Sequence, residues 1–102
     1  MTLEEKYNVF QRDLNEEVDF DVFKDYLRFS TEKILNHRYP FGTSLVEVEP
    51  RYENQQIELA IVLYNQRGAE GEKVHNENGI NRSYRTIEEI LKSIPRVAGI
   101  PQ

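Results

Sequence analysis

Apolar residues recur at helical spacing in four stretches of the chain. The first stretch begins at the Thr2 and Glu5 spacing of a capping box, which is typical of a helix start. Its apolar positions are Leu3, Tyr7, Phe10 and Leu14. This pattern predicts a helix from about Leu3 to Leu14, which the polar run 15–17 ends.

The second stretch predicts a helix from Asp19 or Phe20 to His37. Its apolar stripe consists of Phe20, Phe23, Leu27 and Ile34. The run 39–42 (YPFG) ends the helix, because a proline disfavours helical backbone at the residue before it and a glycine permits a turn. We expect a capping role for His37 at this helix end, where a cation suits the helix dipole.

The third stretch follows an extended linker, Thr43–Glu49, and predicts the central helix of the fold. Pro50 suits the first position of a helix, and Gly68 suits its C-cap. Apolar residues occupy most of its circumference, at Tyr52, Ile57, Leu59, Ala60, Ile61, Val62, Leu63 and Tyr64. A helix that is apolar on so many sides is buried by several neighbours.

The fourth stretch begins at a second capping-box pair, Thr86 and Glu89, and Pro95 is expected to close it. Its stripe is Ile87, Ile90, Leu91 and Ile94. A polar, glycine-rich loop of about residues 68–85 precedes it, and a tail of about residues 96–102 follows. The pattern therefore predicts an all-α single domain over residues 1–102. We expect a small antiparallel bundle of about four helices with a long loop between helices 3 and 4 and an extended C-terminal tail.

Composition and charge narrow the function. A chain of 102 residues with 38% hydrophobic and 30% charged residues is typical of one globular domain. Its formal charge of −5 argues against a monomer that grips nucleic acid. Cysteine is absent, which excludes disulfides and thiolate metal sites and fits a reducing, intracellular site of synthesis. The acidic N-terminus does not resemble a signal peptide, and no apolar run reaches the roughly 18 residues that span a membrane.

No sequence pattern predicts an enzyme or a cofactor. Glu70, Glu72, His75 and Glu77 are close in sequence and contain metal-binding side chains. Their spacing matches no ligand motif, so we interpret them as a solvated polar loop, with a small metal-binding protein or enzyme as the third hypothesis. The segment GAEGEK lacks the spacing and the strand–helix setting of a phosphate-binding loop.

The segment from Pro50 to Tyr84 resembles the small head–tail connector proteins of long-tailed bacteriophages, also called adaptor proteins. The similar parts are ELAIVLYNQRGAEG, HNENGINRSY and the earlier HRYPFG. The resemblance implies a structural virion protein, not an enzyme. Roughly a dozen copies would form a ring at the head–tail junction, between the portal protein and a stopper or tail-completion protein. The chain would be synthesised in the bacterial cytoplasm, and genomic DNA would pass through the channel without specific binding.

Five residues at the ends of the polar loop are the candidate interaction residues: Tyr64, Arg67, Arg82, Tyr84 and Arg85. Tyrosine and arginine are enriched in protein interfaces. Core packing is the alternative for Tyr64, and a solvated hinge is the alternative for the other four. The second functional hypothesis is a nucleic-acid-associated phage DNA-packaging factor, which would require a basic helix face or a helix-turn-helix.

Overall fold

Four α-helices form the body of the molecule. The computed structural model describes residues 1–67 and 84–97. The helices are α1 (Leu3–Leu14), α2 (Phe20–Arg38), α3 (Glu53–Gln66) and α4 (Ile87–Lys92). No strand occurs within the two described ranges. The predicted all-α bundle is therefore confirmed.

The first two helices begin where the sequence predicts; α1 ends at the predicted residue, and α2 extends one residue beyond the predicted His37, to Arg38. Thr2 and Glu5 form both hydrogen bonds of the capping box at the start of α1, and Asn15 ends that helix in the left-handed conformation, with φ of 61°. Asp19 caps α2 by accepting a hydrogen bond from the backbone N–H of Asp21. Gly42 follows α2 with φ of +101°, a conformation that glycine adopts without strain.

Helix α3 is the central element, because α1, α2 and α4 all pack against it. Ser30 Oγ donates to the carbonyl of Gln56, and the ring of Tyr26 lies against that of Tyr64, so α2 runs opposite to α3. Lys6 approaches Glu53 and Phe10 approaches Tyr64, so α1 runs in the same direction as α3. One end of the bundle therefore contains the starts of α1 and α3, and the other contains their C-terminal ends.

Two hydrophobic clusters lie on different sides of α3. The aromatic cluster joins α1, α2 and α3, and its buried members are Phe10, Val18, Phe23, Leu27, Ile57, Ala60, Ile61 and Tyr64. The aliphatic cluster joins α2, the linker, α3 and α4, and its buried members are Ile34, Val48, Tyr52, Leu59, Val62, Ile90 and Ile94. This division explains why α3 is apolar around most of its circumference.

Three predicted boundaries differ from the structure. Pro50 begins a 3-10 turn, Pro50–Tyr52, rather than the α-helix itself, because its fixed φ suits both. The C-cap of α3 is Arg67, with extended backbone, and Gly68 lies outside the described residues. Helix α4 ends at Lys92 before it reaches Pro95, although Ile94 beyond it is only 1% exposed.

Apolar helix length also bears on membrane association. Across residues 1–67 and 84–97, no helix combines the length and the apolar character that crossing a bilayer requires.

Candidate interaction surface

Tyr64 and Arg67 form a compact unit at the C-terminal end of α3. Tyr64 is 5% exposed, and its hydroxyl donates a hydrogen bond of 2.8 Å to Glu16 Oε2. The Arg67 guanidinium stacks 3.7 Å from the centroid of the Tyr64 ring. It also donates to the Tyr64 carbonyl at 2.9 Å and to the Tyr64 hydroxyl at 3.0 Å. The Arg67 side chain thus folds back on its own helix and covers one face of the Tyr64 ring.

The environment of Tyr64 favours its neutral form. Burial raises the pKa of the Tyr64 phenol, and the hydrogen bond to the Glu16 carboxylate raises it further. The nearby charge of Arg67 acts in the opposite direction but does not outweigh them. Tyr64 is therefore both a core residue, as the alternative interpretation predicted, and a polar anchor for the chain at Arg67.

Tyr84 and Arg85 anchor the chain where its description resumes. The Tyr84 hydroxyl donates to the carbonyl of Asp13 at 3.2 Å, and its ring packs against both hydrophobic clusters. Arg85 forms a bidentate ion pair with Glu58, with Nε–Oε2 and Nη2–Oε1 distances of 2.9 Å and 2.6 Å. Hydrogen bonding to Glu58 raises the pKa of Arg85. Neither residue is an unattached hinge.

The structure brings together four of the five predicted residues. Tyr64, Arg67 and Tyr84 lie at the bundle end where α1 finishes, and Arg85 is tied to α3 nearby through Glu58. Arg82 and the loop residues Glu70, Glu72, His75 and Glu77 lie outside the described residues. The acidic partners of these residues are not recognisable from the sequence. Glu16 sits in a run interpreted only as a helix break, and Glu58 has no sequence pattern that links it to a residue 27 positions away.

A second polar cluster lies at the opposite end of the bundle, and we call it the Arg38 cluster. It comprises His37, Arg38, Glu49 and the backbone of residues 94–97. Arg38 Nε donates to Glu49 Oε1 at 2.6 Å, and Arg38 Nη1 donates to the Pro95 carbonyl at 2.7 Å. The guanidinium also lies 5.1 Å from the centroid of the Tyr52 ring. The cluster joins the end of α2 to the linker and to the segment after α4.

His37 belongs to this cluster rather than capping α2. Its Nε2 donates to the carbonyl of Ile94 at 2.9 Å, a residue 57 positions away. The Val97 N–H in turn donates to the Arg38 carbonyl at 2.7 Å. The expected capping role therefore becomes a tertiary contact, because the segment after α4 folds back over this helix end.

Burial and ion pairing have opposite effects on the pKa values of Arg38 and Glu49. Burial alone would lower the pKa of Arg38, but hydrogen bonds with Glu49 and Tyr39 and the Glu49 charge raise it. Burial alone would raise the pKa of Glu49, but Arg38 lowers it through a hydrogen bond and its charge. Both groups are consequently held in their charged forms.

The described part of the chain offers little for metal chemistry. No group of three or more His, Asp or Glu side chains suited to hold a metal ion occurs in residues 1–67 and 84–97.

No protein-family model, no curated protein and no solved structure matches the chain.

Proposed function

We propose that the protein is a structural subunit of a ring at the head–tail junction of a long-tailed bacteriophage, between the portal protein and a stopper or tail-completion protein. The observation that carries the proposal is the resemblance of residues 50–84 to connector proteins. This region includes the 3-10 turn, the whole of α3 and Tyr84, the residue at which the description of the chain resumes. The resembling segment thus combines the centre of the body with the anchors at both ends of that loop.

The geometry of the anchors supports an assembly role. The chain leaves the described body at Arg67 and returns at Tyr84, and polar contacts fix both points near the end of α1. Sixteen residues, 68–83, lie between these points. A connection of this length in a small domain is commonly functional. A rigid body with a long connection fixed at both ends is suited to contacts with neighbouring subunits or partners.

Charge also fits a channel component. Each chain carries −5, so a ring of about twelve subunits has a formal charge on the order of −60. Carboxylates that face a channel repel phosphates and reduce adhesion of DNA to its wall. In the described body, Arg67 and Arg85 are engaged with Tyr64 and Glu58, which leaves them less available to DNA phosphates.

The test is assembly on the portal protein from the same phage genome. The two purified proteins are mixed, and the mass of the complex is measured by light scattering or native mass spectrometry. We expect roughly a dozen copies of this chain per portal ring. Replacing residues 68–83 by a Gly/Ser linker of equal length retains Tyr84 and Arg85 and should abolish the complex. Unchanged assembly of that variant would remove the loop from the mechanism, and absence of any complex with the wild type would overturn the proposal.

DNA binding provides the matched control. We expect the free wild-type protein to bind duplex DNA only weakly at low salt. We also expect Arg82→Ala and Arg85→Ala to change that binding little. Tight binding that either substitution abolishes would instead support the DNA-packaging hypothesis, because phosphate contacts depend on such side chains.

A further inference from the structure

Helix α4 and the residues on either side of it dock on the body as one element. We call residues 84–97 the α4 segment. Ile90 and Ile94 are 0% and 1% exposed, so the body covers the apolar side chains of this segment. The helix itself has six residues, and an isolated helix of that length is not stable in water. The surface that receives the α4 segment therefore supplies its conformation.

The receiving surface, which we call the α4 seat, combines apolar side chains with polar contacts at both ends of α4. Before the helix, Arg85 pairs with Glu58 of α3 at 2.6 Å. After the helix, Arg38 donates to the Pro95 carbonyl and accepts from the Val97 N–H, each at 2.7 Å. These contacts fix the direction and the register of the segment. The seat consists of the Asp13 carbonyl, Ile34, His37, Arg38, Val48, Tyr52, Glu58, Leu59 and Val62.

None of these contacts requires the segment and the seat to belong to one molecule. The seat lies within residues 13–62, and the α4 segment begins at Tyr84. Sixteen residues, 68–83, separate Arg67 from Tyr84, and a chain of that length spans at most about 55 Å. The longest helix of the body, α2 with 19 residues, is about 28 Å long. The connection is thus long enough for the segment to reach the seat of an adjacent molecule.

We propose that the α4 segment exchanges between copies of this chain, so that the segment of one molecule occupies the seat of another. The occupant is identical to the one that fills the seat in the structure, so every apolar and polar contact is formed again. Exchange of an identical element is a low-cost route to assembly for this reason. It requires release of the α4 segment but leaves the buried members of the aromatic cluster in place. The exchange concerns the free protein and does not depend on the portal complex.

The test is chemical crosslinking between two single-cysteine variants of the full chain. The chain has no cysteine, so each introduced thiol is unique. Tyr39→Cys labels the seat and Val97→Cys labels the segment, because the Val97 N–H donates to the carbonyl of Arg38. A short bis-maleimide joins the two thiols, and the mixed product is identified by its mass. The segment of each molecule competes for its own seat at an effective concentration on the order of 1 mM, so the variants are mixed near that concentration.

The control pair is Asn8→Cys with Val97→Cys. Asn8 is exposed on α1 and is not part of the seat, whereas Tyr39 is only partly exposed. Random encounters therefore favour the control pair. We expect the mixed product of Tyr39→Cys with Val97→Cys to form several-fold faster than that of the control pair. Equal rates for the two pairs would overturn the proposal.

A second substitution, Ile90→Asp, should have opposite effects in the two molecules. In the Val97→Cys molecule it replaces a buried apolar contact by a charge, and the crosslinking rate should fall to that of the control pair. In the Tyr39→Cys molecule the same change weakens the competing segment, and the rate should rise several-fold. Partial unfolding or contact elsewhere on the surface would not reverse the sign in this way. A change of the same sign in both molecules would contradict exchange of the α4 segment.

Discussion

The aromatic and aliphatic clusters flank the same helix but are closed in different ways. In the aromatic cluster, Phe10 packs against Phe23 and Tyr64 with ring centroids 5.2 Å and 5.7 Å apart. Its helices α1 and α2 are consecutive in sequence and joined by a short turn. The aliphatic cluster depends on α4, a helix of six residues that follows the long polar loop. The aromatic cluster is covered by long helices that are neighbours in sequence. The aliphatic cluster is covered in part by α4, which is short and distant in sequence.

This difference locates the weaker part of the fold. A helix of six residues is not stable alone in water, so α4 persists only through its contacts. Ile90 and Ile94 supply the apolar contacts, and the Arg38 cluster supplies polar ones to the segment that follows. We therefore expect α4 to open locally before the body unfolds. Local opening at α4 would also change the anchor at Arg85, two residues before that helix.

The largest expected effect comes from the aromatic cluster. Phe10 is fully buried, and Phe10→Ala should lower the free energy of unfolding by about 4 kcal/mol through lost burial and a cavity. Urea unfolding followed by circular dichroism measures this change. Ile90→Ala, on the other side of α3, should instead lower the free energy of local opening of α4 by about 3 kcal/mol and change global unfolding less.

Hydrogen exchange separates these two outcomes. In Phe10→Ala, amide protection should fall in α1, α2 and α3 together, whereas in Ile90→Ala it should fall mainly in α4. Phe41→Ala, at a side chain 64% exposed, controls for loss of an aromatic residue without a cavity. Equal loss of protection throughout the body in both core variants would show that the two clusters are one cooperative unit.

A smaller effect is expected from the Arg38 cluster. Arg38→Gln removes the charged hydrogen bond to Glu49 and the contact with the Pro95 carbonyl. This loss should destabilise the packing of α4 and the segment after it by about 2 kcal/mol. Protection of the α4 amides, measured by hydrogen exchange, should decrease while that of α1 is retained. Arg28→Gln is the control, because the pairs of Arg28 are exposed and contribute little. A comparable effect of Arg28→Gln would contradict a specific role of the Arg38 cluster.

The sequence predicts the helices and their packing faces better than it predicts the polar contacts between distant parts of the chain. Helix α1, the caps at Thr2 and Thr86, and the buried circumference of α3 follow from local spacing, which the sequence displays directly. The Arg38 cluster does not, because it joins residues 57 positions apart and depends on how the chain returns after the polar loop. For the same reason the tyrosines and arginines of the candidate surface were predictable by type. Their partners Glu16 and Glu58 were not.

Acid should weaken the aliphatic side through Glu49. Pairing with Arg38 outweighs the effect of burial and holds the pKa of Glu49 below its ordinary value of 4.5. The unfolded chain therefore binds this proton more readily than the folded one. The stabilisation is complete above pH 4.5 and is lost as the pH falls through the lowered pKa. Glu49→Gln should reduce the loss of unfolding free energy between pH 7 and pH 3, measured by urea titration.

Glu53 provides the comparison for this acid effect. Burial would raise its pKa, but the N-terminal amine and Lys6 lower it, so it contributes acid sensitivity with the same sign. Glu53→Gln should therefore also flatten the acid dependence of the unfolding free energy, although its partners, the N-terminal amine and Lys6, lie at the start of α1 rather than beside α4. Acid sensitivity that is unchanged in Glu49→Gln would show that Arg38 does not hold Glu49 ionised in the folded protein.

The smallest expected effects come from the two capping boxes, and they distinguish the aromatic from the aliphatic side of α3 most directly. Thr2 and Thr86 form the same capping box, each accepting a hydrogen bond of 3.1 Å from the backbone N–H of a glutamate three residues later. Thr2→Ala and Thr86→Ala should each cost roughly 0.5 to 1 kcal/mol in their own helix. Because α1 belongs to the aromatic cluster, Thr2→Ala should lower the free energy of global unfolding, measured by urea titration. Thr86→Ala should leave global unfolding nearly unchanged and increase exchange of the α4 amides alone. Thr86→Ser, which keeps the hydroxyl, should restore their protection, and a global loss of stability in Thr86→Ala would refute the independent opening of α4.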